Sequence, residues 1–255
     1  MGASCARVYR LITALTLLAG CASAESGPPR NRGHVDPDEG GLSSVKPRIP
    51  EPMVFDLVRP LGAARGELEV NSLFRLPVAR EGRLLWAPEV EYTFADGYGI
   101  EFELPLRNGS IESYKGAIQA TLPGPWPRKL IQGVQVIGEV APSYGSHHVD
   151  ALYLLGVRWS RRWSTFSMTG ARRESGDSVG FAVLANHSVF YQWRREVVLG
   201  MEANWKGAAV EPRNLLLMPQ LHWRRSRINV QAGAGVAHQP GRTSAMLSWR
   251  VSREF

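Results

Sequence analysis

From Gly66 onwards, apolar and polar residues alternate along segments of about ten residues that are separated by short polar turns. In the segment LLWAPEVEYTF, Val90 and Tyr92 fall on one side of the chain and Glu89 and Glu91 on the other. A period of two is the pattern of a β-strand with one apolar and one polar face. It predicts twelve strands, at 66–78, 84–94, 99–107, 112–122, 130–141, 149–159, 164–172, 181–192, 197–205, 214–223, 228–237 and 243–255.

The length of these strands separates two all-β architectures. Strands of soluble sandwiches usually have about five or six residues, whereas a tilted strand needs about 9–11 residues to cross a membrane. Lipid cannot satisfy an open sheet edge, so a membrane sheet has to close on itself. The sequence therefore predicts an all-β fold, a transmembrane antiparallel up-and-down β-barrel of about twelve strands over residues 64–255. Its apolar faces meet lipid and its polar faces line the lumen.

The first 24 residues have the layout of a signal peptide. Arg7 and Arg10 precede the apolar stretch LITALTLLAG, which is too short to span a bilayer. Two cleavage positions compete: one follows Ala24, and the other precedes Cys21 in LAGC, which resembles a bacterial lipobox and would make Cys21 a lipidation site. Cys5 and Cys21 are the two cysteines of the chain, so we expect a mature protein with no disulfide and no thiolate metal site.

Residues 25–63 differ in composition from the barrel region, being rich in proline, glycine and charge. Such a segment cannot bury a core, and it predicts a flexible periplasmic segment. Within it, MVFDLVRPLG (53–62) forms a short apolar island. This island makes the segment a candidate plug for the barrel.

The C-terminal strand AMLSWRVSREF carries a second signal. Trp249, Val251 and Phe255 match the alternating pattern, while Arg253 interrupts it. The strand resembles the C-terminal assembly signal of bacterial outer-membrane β-barrels, which the barrel assembly machinery reads. The resemblance implies the outer membrane of a Gram-negative bacterium, with outer-membrane lipids and that machinery as partners. Residues 66–106 also resemble the start of the barrel in transporter-like proteins of the phenol-degradation MetA-pathway type.

The chain is basic, with a net charge of +7. Much of this charge falls in tight turns that the predicted topology places at the periplasmic rim, at Arg161, Arg162, Arg194, Arg195, Arg224, Arg225 and Arg227. Arginines there either contact anionic headgroups or are simply solvated. No nucleic-acid-binding motif accompanies them, so we expect no nucleic-acid partner.

The polar faces supply candidate lumen and selectivity residues: Glu67, Glu69, Glu89, Glu91, Glu101, Glu103, Lys115, Arg158 and Arg250. We expect a porin-like barrel in which these charges shape the diffusion of a small solute, with no cofactor and no metal site. The alternative is that the charges pair across the lumen and close it.

Two other functions stay open, a lipid-acting barrel enzyme and an accessory barrel without throughput. Barrel enzymes that act on lipids use a histidine and a serine on the barrel wall, and NHS at 186–188 supplies both residue types. Neighbouring residues of a strand point to opposite faces, so His187 and Ser188 do not form a nucleophile–base pair. We therefore predict no catalytic residues and no enzyme activity.

Deleting Phe255 is expected to lower the amount of assembled protein in the outer membrane, because the closing strand carries the assembly signal. The measurement is heat-modifiable migration on gels together with membrane fractionation. Unchanged levels of folded protein would contradict a role of Phe255 in assembly.

Overall fold

The computed structural model describes residues 47–55, 57–78, 82–143, 145–176, 180–208 and 214–255. The predicted signal peptide, Cys21 and residues 25–46 of the predicted flexible segment lie outside these residues. The strands are β1 (Leu68–Val78), β2 (Leu85–Ala95), β3 (Tyr98–Glu103), β4 (Leu106–Arg107), β5 (Ser110–Ile111), β6 (Tyr114–Leu122), β7 (Leu130–Val140), β8 (His147–Arg158), β9 (Trp163–Ser175), β10 (Gly180–Arg194), β11 (Val197–Ala208), β12 (Asn214–Arg225), β13 (Ile228–Gln239) and β14 (Arg242–Glu254). In this part of the chain no helix is both long and apolar enough to cross a membrane.

Twelve of these strands form a closed antiparallel barrel, which confirms the predicted fold class. Each barrel strand pairs with its neighbours in order, and β1 pairs with both β2 and β14. Leu73 on β1 faces Arg250 on β14 in this closing ladder. The Phe255 amide extends it by donating a hydrogen bond to the Leu68 carbonyl oxygen at 2.9 Å.

The strand predicted at 99–107 is interrupted. β3 ends at Glu103, and the chain continues into the small hairpin formed by β4 and β5. Pro105 has no N–H to donate to a ladder, and Asn108 and Gly109 take positive φ angles of 51° and 83°. Asn-Gly is the preferred pair for a tight two-residue hairpin turn. The hairpin extends β2 beyond β3, because β4 pairs with Leu85 and Trp86.

The two faces of the barrel wall have opposite polarity. Phe102 and Ile118 on the outer face are 56% and 50% exposed, whereas Glu91 and Glu101 on the inner face are almost completely buried. This inverts the arrangement of a water-soluble domain and fits a wall that meets lipid outside. Phe74 stacks between Trp86 and Trp249 on that outer face, with ring centroids 5.9 Å and 5.3 Å apart.

Replacing Phe102 by Arg is expected to lower folding stability by about 2–4 kcal/mol, because a charge at mid-depth of the lipid face is costly. Tyr98 lies on the same face of β3 beside the β2–β3 turn, so Tyr98→Arg is the matched control and should cost only about 0–1 kcal/mol. Denaturant unfolding in phospholipid vesicles measures both. Equal costs would contradict the proposed depth of β3 in lipid.

Candidate functional site: the barrel lumen

The inner wall of the barrel has a charged side and an apolar side. The predicted carboxylates and Arg250 line the side formed by β1–β3 and β14. The side formed by β7–β10 carries an apolar cluster of Ile131, Ile137, Leu152, Leu154, Phe166, Met168, Leu184 and Phe190. The prediction that polar faces line the lumen therefore does not hold on this side. The available signal was the segment FAVLANHSVFYQ, which has apolar residues on both faces.

Residues 47–55 and 57–63, here called the inner segment, lie against this inner wall. Leu57 and Leu61 are buried in the apolar cluster. Two glycines of the wall leave room for Leu61 and for Met53. A Cβ on Gly133 would lie 2.6 Å from Leu61 Cδ2, and one on Gly233 would lie 2.6 Å from Met53 Cε. Each buried leucine or methionine side chain contributes about 1.5–3 kcal/mol of hydrophobic stabilisation.

The inner segment enters and leaves the lumen at the same end. Arg158 donates to the Arg48 carbonyl oxygen at 2.8 Å, and the Gly62 amide donates to Thr121 Oγ1 at 2.8 Å. Both contacts lie at the end of the barrel that carries Phe255 and the β2–β3 and β6–β7 turns, here called the C-terminal rim. Met53, in contrast, reaches Gly233 in the middle of β13. The chain therefore runs to about mid-depth and returns.

Glu202 on β11 holds the innermost part of this segment. Its carboxylate accepts hydrogen bonds from the backbone amides of Met53 at 2.9 Å, Val54 at 3.1 Å and Phe55 at 2.9 Å. Asn204 Nδ2 donates a fourth hydrogen bond at 2.8 Å. Three successive amides that share one fully buried carboxylate fix the position of the chain. The alternation of β11 puts Glu202 on its inner face, but nothing in the sequence indicates that its partner is the backbone of residues 53–55.

Arg59 inserts its guanidinium among the carboxylates of Glu67, Glu69 and Glu91. These three carboxylates are here called the Arg59 cradle. Arg59 Nη1 lies 2.6 Å from Glu69 Oε2 and 3.5 Å from Glu91 Oε2, and Nη2 lies 3.1 Å from Glu67 Oε2. Arg59 is 2% exposed. Burial alone would lower the pKa of Arg59, but the charges of Glu69 and Glu91 outweigh it and raise the pKa above its usual value. The guanidinium therefore stays charged inside the barrel.

Arg250 supplies a second positive charge to the same wall. Its guanidinium lies 3.7 Å from Glu91, 3.8 Å from Glu89 and 4.0 Å from Glu51. It also donates to the Pro52 carbonyl oxygen at 3.4 Å. Burial, with Glu69 acting in the same direction, raises the pKa of Glu51 to about 7. The raised pKa favours the protonated form of this carboxyl group, which carries no negative charge beside Arg250.

Lys115 completes the charge pairing on the acidic side. Its ammonium group lies 3.0 Å from Glu101 and also contacts Glu103. The carboxylate oxygens of Glu89, Glu101 and Glu103 lie within 4.8 Å of one another, which is the spacing of a set that can hold a metal ion. In this arrangement the lysine ammonium supplies the cation to two of the three carboxylates.

A cavity of about 220 Å³ lies in the lumen beyond the inner segment. Val54 and Phe55 of the inner segment line it together with wall residues that include Arg75 and Arg172. Arg172 forms a two-pronged ion pair with Asp150, with both N···O distances at 2.7 Å. The inner segment therefore separates this cavity from the C-terminal rim.

The sequence-predicted lumen residues lie on or next to the inner wall. Glu69, Glu89, Glu91, Glu101, Glu103 and Arg250 are buried there, and Glu67 is half-exposed just before β1. Arg158 lies near the C-terminal rim, where its guanidinium donates a hydrogen bond to the Arg48 carbonyl oxygen. The ion pairs bring Arg250 and the carboxylates of β1 and β2 together with Glu51 and Arg59, neither of which was among the predicted lumen residues. Trp249 and Val251 lie on the outer face, and their role in assembly remains a prediction.

The serine and histidine considered for lipid hydrolysis lie on opposite faces, as the alternation requires. Ser188 is buried on the inner side, and His187 is on the outer side, where its Nδ1 lies 2.8 Å from Ser167 Oγ. His187 is four residues from Tyr191, which packs on Trp163 near the C-terminal rim. At a strand tilt of about 40°, that spacing is about 10 Å of depth. We expect this outer-face pair to lie at the depth of the acyl chains, and each partner satisfies the other's polar atom.

Comparison with solved structures supports the barrel architecture. No family model matches the chain, and no curated protein matches it. Among solved structures, the KdgM porin in complex with disordered oligogalacturonate matches 71% of this chain and 97% of its own, with a TM-score of 0.54 and 10% identity. The COG4313 outer membrane channel from Pseudomonas putida F1 matches 76% of this chain and 97% of its own, with a TM-score of 0.54 and 11% identity.

The chain has the fold of an outer-membrane β-barrel. At 10–11% identity the likeness shows the fold alone. The resemblance to the MetA-pathway type and the assembly signal at Phe255 therefore stay predictions.

Replacing Glu202 by Gln is expected to loosen the inner segment, because the amides of residues 53–55 lose a charged acceptor. A hydrogen bond to a charged group contributes about 1.5–3 kcal/mol, so amide exchange of these residues should speed up by about tenfold or more. Hydrogen exchange read by mass spectrometry on peptides covering 47–63 measures the effect. Glu174→Gln is the matched control, since Glu174 pairs with Lys206 instead. Unchanged exchange in Glu202→Gln would contradict the assigned role of Glu202.

Proposed function

We propose that the barrel is a diffusion channel for a small solute and that the inner segment closes it. The observation that carries the proposal is that the inner segment fills part of the lumen. Between the C-terminal rim and mid-depth, the space inside the wall is occupied by two passes of the inner segment, bound through non-covalent contacts. Withdrawal of that segment would leave a path as wide as those two passes. Diffusion through it requires no catalytic group and no cofactor.

Buried polar groups on the inner wall outside the charged side support passage of a polar solute. Water and polar solutes need hydrogen-bonding partners along a path, and the wall offers several that the protein itself does not use. Gln135 and Gln220 are buried on the inner wall, and neither amide group has a hydrogen-bond partner within the described residues. The alternative of an accessory barrel without throughput is favoured by the closed lumen, and it predicts that the inner segment never leaves.

A reversible cross-link separates the two functions. A Cβ on Gly99 would lie 3.1 Å from Val58 Cγ1, so cysteines at these two positions are close enough for a disulfide. In a background with Cys5 and Cys21 replaced by Ser, the Val58→Cys/Gly99→Cys barrel should be silent in planar bilayers when oxidised. After reduction it should show discrete conductance steps, and a chain lacking residues 47–63 should conduct under both conditions.

The single variant Gly99→Cys is the matched control, and its conductance should not respond to reductant. Silence of the correctly folded deletion variant would contradict a channel and favour the accessory barrel. Equal conductance of the oxidised and reduced double variant would contradict closure by the inner segment.

A further inference from the structure

The Arg59 cradle holds a cation that does not belong to the barrel wall. Glu69 and Glu91 project from β1 and β2, and Glu67 immediately precedes β1, whereas Arg59 belongs to the inner segment. The wall therefore presents three converging carboxylates, and a guanidinium from outside the wall occupies them. When the inner segment leaves, its positive charge leaves with it and the carboxylates face the lumen.

The contacts of the cradle match a guanidinium group. Nη1 and Nη2 of Arg59 contact different carboxylates, at 2.6 Å and 3.1 Å. Planar guanidinium presents several N–H donors in a fixed fork, and this fork suits carboxylate oxygens. The position of Glu91 is itself fixed, since Asn71 Nδ2 donates to Glu91 Oε1 at 2.5 Å.

Polar atoms beside the cradle have hydrogen-bonding capacity that Arg59 does not use. Thr93 is completely buried on the same inner face of β2 as Glu91, and its Oγ1 has no hydrogen-bond partner among the described residues. The same holds for Asn71 Oδ1 and for the Nε donor of Arg59 itself. A free guanidinium ion has one N–H donor more than an arginine side chain, and no side chain constrains it. It can therefore approach Thr93 Oγ1 and Asn71 Oδ1 in orientations closed to Arg59.

We propose that Glu67, Glu69 and Glu91 form a binding site for small organic cations that carry a guanidinium group, and that Arg59 occupies this site as an internal ligand. As far as it concerns passage, the inference rests on the proposed channel function. A guanidinium solute that reaches the cradle competes with Arg59 and weakens the docking of the inner segment. The solute class that binds the lumen is thereby also the class that favours its opening.

Binding is tested on the full-length folded barrel in detergent, with guanidinium chloride at millimolar concentrations as the probe. Arg59→Ala empties the cradle and should bind guanidinium, as measured by isothermal titration calorimetry. Wild-type protein should bind at least tenfold more weakly because Arg59 competes. Tetramethylammonium, a cation without N–H donors, is the ligand control and should bind at least tenfold more weakly than guanidinium to Arg59→Ala.

Two further variants test whether the cradle is the site. Adding Glu69→Gln and Glu91→Gln to Arg59→Ala should abolish the binding. Adding Glu254→Gln should preserve it, because Glu254 pairs with Arg224 at the C-terminal rim. Where Arg59→Ala fails to show heat-modifiable migration, Arg59→Gln replaces it.

A folded Arg59 variant that does not bind guanidinium would overturn the proposal, as would binding that survives loss of Glu69 and Glu91. These outcomes are distinct from failure of the channel function. Calorimetry reports the cradle whether or not the barrel conducts, whereas a silent deletion variant in bilayers contradicts passage alone.

Discussion

Closure of the sheet is the constraint on which the rest of this structure depends. In lipid every backbone N–H and C=O of the wall needs a partner, and the ladder between β1 and β14 provides the last row of them. Once the sheet is closed, alternate residues of each strand have to face either lipid or an enclosed space. The polarity of the outer face and the confinement of the inner face both follow from this single pairing.

Confinement makes the balance of charge inside the barrel decisive. Carboxylates that crowd together away from water cannot all stay ionised without cations nearby. On the acidic side Arg250 and Lys115 come from the wall, and Arg59 comes from the inner segment. One of the cations that stabilise this wall is thus carried by the inner segment, which non-covalent contacts hold in the lumen. When the inner segment docks, Arg59 neutralises part of the negative charge of this wall.

The inner segment binds because it matches both halves of the lumen. Leu57 and Leu61 pack on the apolar side, Arg59 faces the acidic side, and Glu202 holds the backbone between them. Burial of apolar side chains strengthens the docking of the inner segment but does not orient it. The ion pairs of Arg59 and the backbone amides bonded to Glu202 fix its position. The wall itself is closed by ladders between its own strands, and the inner segment takes no part in them.

The sequence by itself determined the closed all-β fold of about twelve strands and the inward face of the strands that alternate cleanly, such as β2 and β3, because alternation is local and its period is set by strand geometry. It left the inward face open where apolar residues occupy both faces, as in β10. It missed the hairpin of β4 and β5, which depends on pairing with β2 beyond a proline. It did not assign roles to Arg59 or Glu202, since Met53 and its carboxylate partner are 149 residues apart. Only the closed tertiary structure decided what occupies the lumen, because barrel closure brings strands distant in sequence around one enclosed volume.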